Sequence, residues 1–119
     1  MANVYGAPEV TVQDLAEKFS QNGDFVLLDV RELHEIGTVA LEAGQLVILP
    51  LSELARMQLP ALEEKGLNKD DEIVVMCHHG VRSAQVTAWM RQNGWEDVWS
   101  LAGGIDAYAH EIDPAIGFY

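Results

Sequence analysis

The feature that most constrains how this 119-residue chain can fold is a repeated change of hydrophobic period. Four short segments, 25–30, 46–49, 72–76 and 98–101, are almost continuously apolar. Runs this short suit strands buried on both faces, as in parallel sheets covered by helices. Between them the period lengthens. Val12, Leu15, Ala16 and Phe19 recur at helical spacing, Thr11 and Asp14 supply a capping-box start, and Asn22-Gly23 closes the helix. Leu51, Leu54 and Ala55 suggest a helical turn behind Ser52. Pro60 forces a break near Leu59 and opens a short helix over 60–65, closed by Gly66. Ala84, Val86, Trp89 and Met90 mark a helix ended by Asn93-Gly94, and Gly103-Gly104 turns the last strand into a short helix over 105–110. Residues 31–45 show no clear period. Strands alternating with helices predict an α/β fold, a central parallel sheet flanked by helices on both faces. No repeat or linker divides the chain, so one domain is expected over 1–119, with its core at about 8–111.

Charge narrows the function classes. Seven Lys and Arg stand against 19 Asp and Glu, a formal net charge of −12. Phosphate-backbone recognition needs clustered cations, so no nucleic-acid partner is expected. An anionic membrane surface is equally unsuited, and no apolar stretch approaches the ~20 residues of a bilayer span. The single cysteine, Cys77, excludes an internal disulfide and Cys-x-x-Cys chemistry. With no signal-like start, a cytoplasmic setting is the expectation.

Cys77 is also the most informative residue. It directly follows the 72–76 run and precedes His78-His79-Gly80-Val81-Arg82-Ser83, after which a helix begins. In parallel α/β sheets ligands bind at the carboxyl ends of strands, where this loop lies. A strand–loop–helix passage turns backbone N–H groups toward the loop centre and makes an anion cradle that stabilises a thiolate. Arg82 adds a fixed positive charge, Gly80 permits a backbone conformation closed to other residues, and Ser83 can cap the helix. A lone cysteine at a strand end is more often a small buried hydrophobe. The polar, glycine-containing loop favours catalysis here. His78 and His79 also read as solvent-exposed loop residues. Three consecutive potential ligands make poor metal spacing, so neither a metal nor another cofactor is expected. Four residues separate Cys77 from Arg82, one fewer than in cysteine phosphatases. A shorter ring of amides suits a sulfane sulfur better than a phosphoryl group.

Three segments together resemble the rhodanese family of sulfurtransferases. Leu27-Leu28-Asp29-Val30-Arg31-Glu32 is similar to its first signature, Cys77 to Ser83 to its active loop, and Leu101-Ala102-Gly103-Gly104-Ile105-Asp106-Ala107-Tyr108 to its Gly-Gly signature, with Tyr where Trp is common. The segment from Gly37 to Leu46 departs from the family pattern. That region and Ile112-Asp113-Pro114 look more like rhodanese domains attached to adenylating enzymes.

The resemblance implies a single rhodanese-like domain with Cys77 as persulfide carrier. Its loop, His78, His79, Gly80, Val81, Arg82 and Ser83, would bind the substrate. Asp29 and Arg31 would lie near the loop, either orienting it or holding the fold; structural support is the favoured reading. The implied activity is a thiosulfate-type sulfurtransferase. Sulfur would pass from thiosulfate or a protein persulfide to a thiol, cyanide or a sulfur-carrier protein. A non-catalytic interaction module is the competing reading, and a cysteine phosphatase or arsenate reductase a more distant one. Trp89, Trp95 and Trp99 are read as core residues.

Overall fold

The computed structural model describes residues 3–119. Its centre is a five-stranded, wholly parallel sheet built from β1 (Glu9–Val10), β2 (Val26–Asp29), β3 (Leu46–Ile48), β4 (Ile73–Met76) and β5 (Val98–Leu101). The strand order is β1-β5-β4-β2-β3. The four apolar runs are the four longer strands. β1 escapes the sequence reading because a two-residue edge strand carries no period of its own. Val47, Leu28, Val75 and Ser100 lie in one cross-sheet row.

Alternation along the strands makes two cores. Leu28, Val30, Ile73, Val75 and Val98 pack with α3 (Leu51–Met57), α4 (Leu59–Glu64) and α5 (Val81–Gln92). Leu27, Val74, Met76 and Leu101 face the other way, toward α1 (Val12–Ser20) and α6 (Gly104–Glu111). β4 is buried at every position, as expected of a strand covered on both faces.

The helix starts follow local chemistry. Thr11 caps α1: its hydroxyl accepts the N–H of Asp14 at 3.1 Å, and the Asp14 carboxylate accepts the N–H of Thr11 at 3.0 Å. α3 begins at Leu51 after Pro50, and the N–H and hydroxyl of Ser52 in its first turn bond the Glu32 carboxylate. The break before Pro60 falls at Gln58, whose φ is 61°, and α4 ends ahead of Gly66. The unread stretch contains the single-turn helix α2 (Leu33–Ile36). A 3-10 turn, Pro114–Ile116, leads into the terminal residues. No helix of the described residues is long and apolar enough to cross a membrane.

Candidate active site

Strand order places the site. From β2 the chain moves outward to β3, and from β4 it moves the opposite way to β5. The adjacent strands β2 and β4 therefore form the switch point, where a crevice opens at their carboxyl ends. Asp29 ends β2, and Cys77 follows β4.

Cys77 is 1% exposed, and its Sγ accepts the backbone N–H of Gly80 at 3.1 Å and of Ser83 at 3.3 Å. Gly80 is the N-cap of α5 with φ 96°, so helix geometry begins at Val81. This corrects the expected later start behind Ser83. Ser83 sits in the first turn, fully buried, and does not cap. Its hydroxyl lies 3.4 Å from Cys77 Sγ and 2.8 Å from the hydroxyl of Ser100 on β5. The early start brings the first-turn amides and the positive end of the helix dipole onto the sulfur. Ser100 was missed by sequence reasoning. The available signal was a lone serine inside an otherwise apolar strand.

The Gly-Gly turn holds the loop from outside. The N–H of Ile105 donates to the carbonyl of Cys77 at 2.9 Å, and that of Asp106 to the carbonyl of His78 at 3.1 Å. Gly104 has φ 63°, and a Cβ there would lie 2.3 Å from the His78 oxygen. Only glycine lets α6 approach this closely.

Arg82, read from the sequence as the loop's fixed positive charge, is paired with a carboxylate. Its Nη1 and Nη2 each donate to the Glu35 carboxylate at 2.7 Å, in a bidentate pair. Those bonds hold the Glu35 carboxyl at about 2, well below its ordinary value of 4.5. They also raise Arg82 further. Glu35 accepts the backbone N–H of Glu32 at 2.9 Å and the hydroxyl of Tyr119 at 3.3 Å as well. It lies in the stretch with no readable period, where the acidic residues at 32 and 35 were the only hint of a helix start.

Asp29 and Arg31 form a buried ion pair. Arg31 Nε donates to Asp29 Oδ1 at 3.0 Å and Nη2 to Oδ2 at 2.8 Å, with both side chains essentially inaccessible. Arg31 Nη1 also donates to the carbonyl of Val39 at 2.7 Å and to the Tyr119 hydroxyl at 3.2 Å. Burial opposes the guanidinium charge, but the bonds to Asp29 and Tyr119 outweigh it and raise Arg31. The pair joins the end of β2 to the 31–39 segment. His78 stacks between His79 and Tyr119, with ring centroids 3.8 Å from each. His79 and Val81 are exposed at the loop surface. Trp95 is buried, while Trp89 and Trp99 are half-buried.

Against known proteins, the model of the rhodanese-like domain matches residues 11–111, nearly the whole chain. The chain belongs to the rhodanese-like domain family. This rhodanese-like domain is 36% identical over 93 residues to the chloroplastic rhodanese-like/PpiC domain-containing protein 12 of Arabidopsis thaliana, covering 78% of this chain and 30% of that protein. It is 36% identical over 89 residues to a tRNA uridine(34) hydroxylase of Escherichia fergusonii, covering 74% of this chain and 25% of the relative. The chain thus spans between a quarter and a third of the length of these two relatives. A solved rhodanese-related protein from Thermoplasma volcanium superposes with a TM-score of 0.70 at 28% identity, covering 88% of this chain and 93% of that one.

Proposed function

We propose that this rhodanese-like domain is a sulfurtransferase that carries sulfane sulfur as a persulfide on Cys77. The observation that carries the reading is the placement of Cys77 Sγ against two backbone N–H donors at the start of α5. Such preorganised donors stabilise negative charge on sulfur without reorganisation during the reaction.

With thiosulfate as donor, the Cys77 thiolate attacks the outer sulfur. The new S–S bond forms as the donor's S–S bond breaks, and sulfite leaves with the electron pair. An acceptor nucleophile then attacks the terminal sulfur of the persulfide, and Cys77 departs as thiolate. The first-turn amides of Val81 and Arg82 are suited to hold the terminal sulfur's charge. Because Glu35 occupies Arg82, the amides and the helix dipole carry most of the attraction for an anionic donor. A thiol, cyanide or a sulfur-carrier protein fits the acceptor role, and a protein persulfide is the alternative donor.

The phosphatase reading is disfavoured by the four-residue spacing and by an arginine already paired with a carboxylate. The non-catalytic reading leaves the aligned donors on Cys77 without a purpose. A relative's tRNA-directed activity finds no support in a segment with a net charge of −12.

The test is mass spectrometry after incubation with thiosulfate. The native chain is expected to gain one sulfur on Cys77, and Cys77→Ser to gain none and transfer none while keeping its fold. Transfer at the native rate by Cys77→Ser would remove the mechanism.

A further inference from the structure

Three of the chain's four histidines and one aspartate gather where the cysteine loop meets α6. His78, His79 and Asp106 each offer one donor atom, all within 4.8 Å of one another. His79 Nδ1 stands 3.7 Å from Asp106 Oδ2, and His110 Nε2 stands 3.6 Å from the other carboxylate oxygen. Two elements distant in sequence meet here, and a backbone bond fixes their spacing: the Asp106 N–H donates to the His78 carbonyl at 3.1 Å. Among the described residues, His78 Nε2 is a buried ring nitrogen without a hydrogen-bond partner. A buried polar atom left unpaired is costly, and ligation of an ion is one way to satisfy the ring.

We infer that His78, His79 and Asp106 form a binding site for a divalent transition-metal ion such as zinc, with His110 orienting the carboxylate. The donor set explains the choice. Two imidazoles and one carboxylate suit zinc, whereas calcium and magnesium take mainly oxygen ligands. Tetrahedral zinc with bonds of ~2.0–2.1 Å places its ligand atoms about 3.3 Å apart. The 3.7 Å between His79 and Asp106 is close to that spacing, and the exposed His79 ring would turn off its stack on His78 to aim both imidazoles at the ion. Water fills the fourth position. The consecutive spacing that counted against a metal in the sequence applied to Cys77, His78 and His79. The fold sends Cys77 into the cradle and supplies Asp106 in its place.

The experiment is a zinc titration by calorimetry on Cys77→Ser, which removes the thiol as a competing ligand. One ion per chain is expected. His79→Ala and Asp106→Asn are each expected to weaken binding by at least the ~10–100-fold that losing even an outer partner costs. Both positions are at least partly exposed, and circular dichroism checks that the variants stay folded. A second readout needs no variant at those positions: zinc should shift the ring resonances of His78 and His79 while leaving His34, on α2, unmoved. The proposal is overturned by the absence of saturable binding, by affinity unchanged in both variants, or by shifts shared equally with His34.

Discussion

The bidentate bond between Arg82 and Glu35 sets the charge at the mouth of the cysteine loop. Glu35→Gln keeps one hydrogen bond and removes one negative charge. The KM for thiosulfate is therefore expected to fall, read from steady-state sulfur-transfer rates. The same pair sets a pH dependence. A carboxyl depressed from 4.5 to about 2 contributes stability that is complete above 4.5 and lost as pH falls through 2. The stability gap between native chain and Glu35→Gln should be widest near neutrality and close between these two values, as measured by urea unfolding at each pH. The ion pair of Asp29 and Arg31 is deeper and its loss costs more. Arg31→Met leaves a buried carboxylate uncompensated, a loss of ~3–5 kcal/mol. Urea midpoints check this, and a change below about 1 kcal/mol would show that water reaches Asp29 in the variant.

At the scale of elements, α5 and α6 grip the cysteine loop from two sides. α5 supplies amides to the sulfur, and α6 supplies amides to the carbonyls of Cys77 and His78. Gly104→Ala would drive a Cβ into both carbonyls, within 2.5 Å of that of Cys77, from a left-handed backbone. A destabilisation of at least ~2 kcal/mol is expected, together with loss of Cys77 persulfidation by mass spectrometry. Gly103-Gly104 is visible in the sequence as a turn, but its grip on residues 77 and 78 is a long-range contact that no local pattern encodes. The four longer strands and α1 are legible because burial on both faces writes itself as an apolar run and capping as a local pair. The α5 start is misread because Ser83 is a good cap by type, yet Gly80 holds the left-handed position and leaves the serine free to turn inward. Glu35 is hidden for a similar reason: a single-turn helix is too short to show a period, and its partner lies 47 residues away.

For the whole molecule, the surplus of acidic residues and the local field of the loop act on a donor over different distances. A net charge of −12 repels a dianion such as thiosulfate at long range, whereas the first-turn amides attract it only nearby. Surface charge is screened beyond a Debye length of ~8 Å at physiological salt, while contacts inside the loop are screened much less. Since Glu35 neutralises Arg82, the loop's own guanidinium adds little attraction at long range. Raising salt with a weakly binding anion should therefore speed thiosulfate capture at first, until the added anion competes for the cradle. A donor or acceptor protein with a basic face should do the reverse and lose on-rate steadily, because its encounter is steered by the charge that salt screens. Stopped-flow persulfidation of Cys77 across a salt series separates the cases. Opposite slopes for thiosulfate and a basic persulfide donor would mark the acidic surface as tuned to a protein partner. A rate with thiosulfate that only falls would mean that the helix dipole and loop amides dominate at every distance, and the net charge would then have no part in choosing the donor.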